Sequence, residues 1–114
     1  MAQANAIVIR IRKDQADEFE GLFEAEELPL WDEYSEAGKF SKAVLARVEY
    51  GTEQKEDVAL YLLYVQVPSM AEHSAHDSDP RFNEFLEKAR RLQPEPPLVF
   101  GGDIWHERTA ASAQ

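Results

Sequence analysis

Val58-Ala59-Leu60-Tyr61-Leu62-Leu63-Tyr64-Val65-Gln66-Val67 is apolar on both of its alternating faces. β-Branched and aromatic residues dominate it, so it reads as a strand, and a strand apolar on both faces calls for burial on both. Pro68 ends it. The polar, glycine-bearing stretch 51–57 before it reads as a hairpin loop. Residues 42–50 alternate ahead of that loop, with Val44, Ala46, Val48 and Tyr50 on one face and Ala43, Leu45, Arg47 and Glu49 on the other. The middle of the chain is therefore a strand pair.

Outward from this pair the periods change. Residues 6–12 alternate, with Ile7, Ile9 and Ile11 on one face and Ala6, Val8, Arg10 and Arg12 on the other, which predicts a first strand. Phe19, Leu22, Phe23, Leu30, Tyr34 and Ala37 then recur at helical spacings. Pro29 lies inside this run, so the helix kinks or restarts there, and Gly38 supplies a left-handed C-terminal cap. Ser69-Met70-Ala71-Glu72 is a capping box, and Asp79-Pro80 starts a further helix with Phe82, Phe85, Leu86, Ala89 and Leu92 as its buried stripe. Pro94, Pro96 and Pro97 end it. Residues 98–105 form the last strand, where Gly101-Gly102 points to a bulge or a close backbone approach. Residues 108–114 are expected to form a frayed tail to a single domain, 1–114, whose ordered core is 6–107.

Strand, helix, strand pair, helix, strand is the α+β order of a ferredoxin-like β-α-β-β-α-β domain with an antiparallel sheet. Right-handed crossovers place both helices on one sheet face and leave the other open. Ala6, Val8, Leu45, Val99 and one face of the third strand are apolar positions expected on that open side. A second copy of the sheet is the simplest cover, so a homodimer through the open face is expected.

Composition narrows the function. The 114 residues carry a formal net charge of -10, which disfavours polyanionic partners such as nucleic acid and anionic membrane. The chain has no cysteine, which removes disulfides, thiolate metal sites and thiol nucleophiles. Residues 1–5 lack the basic and apolar regions of an export signal, and no apolar run approaches the roughly 20 residues that span a bilayer, so a cytoplasmic location is expected. There is no Walker loop or dinucleotide glycine fingerprint, and Ser69, Ser74 and Ser78 lack a nucleophile-elbow context.

His73-Ser74-Ala75-His76-Asp77 is the sharpest local feature. Histidines three apart on a helix share a face and can act as acid, base or hydrogen-bond donor in a cleft, although a polar link rich in capping residues has the same composition. Two imidazoles make only half a zinc site, so no metal is assigned. Glu26 and Glu33 fall near the apolar face of the first helix, where Glu26 would be a base with a raised pKa unless the break at Pro29 turns both to water. Arg10, Arg47 and Tyr64 would steady an anionic oxygen if they face inward, or pair with neighbouring acids if they do not. Trp31, Tyr34 and Phe40 form either an aromatic wall for a planar ligand or simply core.

Ile7-Val8-Ile9-Arg10-Ile11, Leu28-Pro29-Leu30-Trp31, the run from His76-Asp77 to Glu84-Phe85, and Pro94-Glu95-Pro96-Pro97 together resemble the dimeric α+β barrel superfamily, and within it the antibiotic biosynthesis monooxygenase-like group. The resemblance covers most of the chain. It implies a dimeric barrel and a monooxygenase-like enzyme that acts without cofactor on an apolar or aromatic substrate in a cleft between sheet and helices. On that reading His73 or His76 is the base, Arg47 or Tyr64 steadies the substrate anion, and Arg10, Trp31 and Tyr34 complete the binding site. A non-catalytic small-molecule-binding or stress-associated dimer is the alternative. Haem-degrading members carry an asparagine at strand one, and here Asn5 sits just before that strand. They also carry a tryptophan at the end of strand three and a histidine on the next long helix. Here those places read Tyr64-Val65-Gln66 and Phe82-Asn83-Glu84-Phe85-Leu86.

Overall fold

The computed structural model describes residues 1–111, so part of the tail expected at 108–114 lies outside the described residues. Four strands, β1 (Gln3–Arg12), β2 (Lys42–Arg47), β3 (Val58–Val67) and β4 (Leu98–Asp103), form one sheet in the order β2-β3-β1-β4. Every neighbouring pair is antiparallel, with Ile7 opposite Leu63 and Val99, and Leu45 opposite Leu63. This is the ferredoxin-like arrangement. β1 and β3, the central strands, carry the alternation that one buried face requires.

The helices are α1 (Ala16–Leu22), α2 (Leu28–Glu36), α3 (Met70–Asp77) and α4 (Pro80–Arg90). Their apolar stripes cover one sheet face. Phe19, Phe23, Leu30, Phe85 and Ala89 pack with Ile9, Ile11, Tyr61, Val65 and Val67. Tilted and edge-on aromatic contacts order this core, with centroids of Phe19 and Tyr61 at 4.9 Å and of Phe23 and Trp31 at 5.0 Å. Both predicted N-caps form. Ser69 Oγ accepts from Ala71 N at 3.3 Å, and Asp79 Oδ1 accepts from Arg81 N at 2.9 Å.

Several local readings change. β1 begins at Gln3, so it includes Asn5, and β2 stops at Arg47 instead of continuing to Tyr50. Leu45 and Val99, expected on the open face, lie on the helix-covered side, because each pairs with a residue whose side chain faces the helices. The open face instead carries Val44, Leu62, Leu98 and Phe100, all exposed. α1 and α2 are joined by a π-helical segment, Phe23–Glu27, in which the Leu28 N–H reaches back five residues to the Phe23 carbonyl. The break thus precedes Pro29, which sits in the first turn of α2. Glu26 and Glu33 are turned outward, to Lys88 and Arg81 respectively.

Gly38 has φ 73°, as a left-handed cap demands. A Cβ built there meets nothing within 4 Å, so the cost of a side chain is purely conformational. Gly38→Ala is expected to lower stability by about 1 kcal/mol, read as a shift of the urea midpoint with unchanged slope.

Candidate functional site

Between the covered sheet face and the helices lies a cavity of about 290 Å³. Ile7, Leu63, Val65 and Val67 form its sheet wall, and Trp31, Phe40, Phe82 and Phe85 its aromatic sides. Into this apolar space the chain places Asn5, Glu27, His73, His76, Asp77 and Gln93. A few polar groups in an apolar concavity are what orient a small ligand.

Glu27 is the unexpected member. It is only 2% exposed, yet it is a carboxylate inside the core. The wide π-helical turn accounts for its position: Phe19, Phe23 and Glu27 follow at successive four-residue steps, and Leu30, Trp31 and Tyr34 continue the same buried face. Its Oε2 lies 3.0 Å from His76 Nε2. Its Oε1 is buried and has no partner within ordinary hydrogen-bond geometry among the described residues, although the Trp31 indole N–H lies near enough to the carboxylate to favour its charged form. A buried polar atom left without a full partner costs about 1–3 kcal/mol, and such a cost is a feature of functional positions.

His76 holds this carboxylate. Its ring is packed against Phe82 at 4.1 Å, Phe40 at 5.2 Å and Tyr34 at 5.5 Å, centroid to centroid. Its other nitrogen, Nδ1, lies 3.3 Å from Asp77 Oδ1. Burial alone would lower the His76 pKa, but hydrogen bonds to Asp77 and Glu27 and the attraction of both carboxylates outweigh it and raise it to about 9. Burial also raises Glu27, and hydrogen bonding and charge from His76 offset this only in part. Asp77 is lowered, chiefly by its hydrogen bond to His76. The two groups form a coupled pair that holds its proton tightly.

The candidates from sequence divide into two sets. His73, His76 and Trp31 line the cavity. Tyr34 stands behind it, with its hydroxyl 3.0 Å from Asp79 Oδ2 and 3.2 Å from the Ala75 carbonyl oxygen and its ring against Phe40 and His76. Arg10, Arg47 and Tyr64 are not brought to this site. Arg10 pairs with Glu95 at 2.6 Å and donates to the Pro96 carbonyl. Tyr64 lies on the open face, opposite Ala6 and Val44. Arg47 sits at the end of β2 against Glu20 and over the Tyr61 ring. Glu27, Asn5 and Gln93 were not among the candidates. For Glu27 the four-residue steps from Phe19 were a usable signal. Asn5 has one too: a Cβ at Gly101 would come within 2.6 Å of Asn5 Oδ1, the close approach that the glycine pair announced. Among the described residues, no three His, Asp or Glu side chains are grouped to hold a metal ion, and no helix is long and apolar enough to cross a membrane.

No protein-family profile matches the chain, and no curated protein matches it in sequence. Solved structures do match. Rv0793 from Mycobacterium tuberculosis superposes with a TM-score of 0.75 at 15% identity, over 96% of this chain and 100% of that one. A protein from Caulobacter crescentus CB15, provisionally named an antibiotic biosynthesis monooxygenase, gives 0.71 at 16% identity over 92% and 91%. A hydroxynitrile lyase from Passiflora edulis gives 0.69 at 12% identity over 95% and 97%. The chain has the ferredoxin-like fold of antibiotic biosynthesis monooxygenase-like proteins, and at these identities the likeness is one of fold.

Proposed function

We propose that this protein is a monooxygenase-like enzyme that oxidises an apolar, enolisable substrate in the sheet–helix cavity without a cofactor. The observation that carries the reading is the buried Glu27 carboxylate, with one oxygen bonded to His76 and the other unpartnered, in a cavity that is otherwise mainly apolar. Glu27 Oε1 removes a proton from an activated CH2 group. The resulting carbanion transfers an electron to O2, and recombination forms a C–O bond to give a peroxide. Loss of the second C–H proton and cleavage of the O–O bond leave a carbonyl and release water. The balance is CH2 + O2 → C=O + H2O, so no external reductant enters. Apolar walls favour the delocalised anion and exclude competing water, while His76 beside the base keeps the charge paired. This reading gives the base role to Glu27 instead of the His73 or His76 expected from sequence, and it assigns no anion-steadying role to Arg47 and Tyr64, which lie away from the cavity.

Oxygen uptake by the purified protein with a panel of enolisable aromatic ketones tests this. Turnover is expected, and Glu27→Gln, which keeps the shape but not the base, should lower kcat by about 10²–10⁴-fold. Tight binding of such compounds with no oxygen consumed would instead make the protein a non-catalytic small-molecule binder. The supporting assembly is a cytoplasmic homodimer closed over the open sheet face. Its support is the row of exposed apolar side chains there, headed by Phe100 at 60% exposure.

A further inference from the structure

The cavity's polar groups are joined in a file. His76 Nε2 lies 3.0 Å from Glu27 Oε2, His76 Nδ1 lies 3.3 Å from Asp77 Oδ1, and Asp77 Oδ2 lies 2.7 Å from His73 Nε2. Side-chain exposure rises along it from 3% at Glu27 through 11% at His76 to 52% at Asp77. Three aromatic rings also pack against His76: Phe82 from α4, Tyr34 from α2, and Phe40 from the turn after it. Asp79 also acts on Glu27, and is itself engaged by Arg81 and the Tyr34 hydroxyl.

We propose that Glu27, His76 and Asp77 form a proton relay from the cavity to the surface, with His73 positioning its outer end. This deepens the base role given to Glu27 above and rests on it. A carboxylate that takes a proton in an apolar cavity would leave the adjacent imidazolium with only the half-exposed Asp77 carboxylate as its counter-charge, which is costly. The file removes that imbalance. When Glu27 Oε1 gains a proton, His76 releases a different one, from Nδ1 to Asp77 Oδ1, and Asp77 passes it to water. The buried pair changes from carboxylate and imidazolium to carboxylic acid and imidazole and stays neutral in both states. No ring flip or carboxyl rotation is needed, because each imidazole nitrogen has its own partner. His73, one turn before Asp77 on α3, holds Oδ2 so that Oδ1 faces His76.

The exchange of the His76 Nδ1 proton with water reads this relay in the ligand-free protein, by nitrogen-15 NMR at about pH 6, where an ordinary histidine is already largely protonated. Asp77→Asn is expected to slow the exchange about tenfold or more, because the exit base is gone. If Asp77 only anchors the ring, its loss loosens His76 and the exchange accelerates. Unchanged or faster exchange therefore overturns the relay. His73→Gln, at a partly buried position one turn earlier on α3, gives an independent reading should Asp77→Asn not fold. Slower exchange supports the relay, and unchanged or faster exchange overturns it. Since neither substrate nor oxygen enters this measurement, its failure leaves the oxygen-uptake test of Glu27 standing, and the converse also holds.

Discussion

Replacing Glu27 by leucine and His76 by phenylalanine together should give a protein as stable as the parent, or more stable by about 1–4 kcal/mol, and without acid–base activity. The reasoning is electrostatic. Both side chains are buried, and Glu27 keeps an unpartnered oxygen, so part of the desolvation penalty is never recovered. An apolar pair of similar volume removes that penalty and extends the aromatic packing of Phe40, Phe82 and Trp31. His76→Phe alone should behave oppositely. It leaves the Glu27 carboxylate buried without its partner and should cost about 3–5 kcal/mol. The pair also sets a pH dependence. His76 is raised in the folded state to about 9, so its contribution is complete below the unfolded value near 6.5 and is lost as pH rises from there through 9. Glu27 is raised as well, which makes folding favour its protonated form and gives the same sign of slope at lower pH. Urea unfolding between pH 5 and about 10 should show stability falling across the alkaline part of this window for the parent and staying level for the double variant. A double variant as unstable as His76→Phe would refute the view that this pair is kept for chemistry at the expense of stability.

Phe100→Asp should leave the chain folded and monomeric. Phe100 projects from β4 on the face without helices, in register with Ala6, and Leu62, Leu98 and Val44 extend the same apolar surface. A stable interface buries roughly 1,600 Å² in total, and a four-stranded sheet face packed on its copy is of that order. A two-fold axis places each substitution in the interface twice, so two unpaired carboxylates would be buried for one change per chain. The expected loss is at least 100-fold in dimer affinity, since each buried unpaired charge costs several kcal/mol. Sedimentation velocity on parent and variant at equal concentration reads the result, with circular dichroism confirming that the fold is kept. A monomeric parent would remove the homodimer from the proposed assembly, and a variant that still dimerises would remove the open sheet face as its interface.

Much of this molecule was legible without coordinates. Alternation in residues 6–12, the β-branched and aromatic run 58–67, the capping box at Ser69, the Asp79-Pro80 start and the glycine after α2 each encode a local preference that tertiary packing had no reason to override. Chain order then allowed few topologies, and the ferredoxin-like sheet followed. His73 and His76 stood out because their spacing puts both near one helix face. The site beyond them depends on pairings and phases that a chain cannot express locally. Arg10 and Tyr64 were kept from the cavity by the sheet face they occupy, which is decided by the residues met on the neighbouring strand, whereas Arg47 shares the helix-covered face with Leu45 but sits at the far end of β2, opposite Tyr61 and against Glu20. Glu27 was decided by a single widened turn. The π-helical segment shifted the helix phase enough to send Glu26 to Lys88 on the surface and to carry its neighbour into the core beside His76. Local sequence therefore chose the elements, whose energies are short-ranged, while the carboxylate, the imidazole and the relay between them arose only where elements 49 residues apart in the chain came within hydrogen-bond distance.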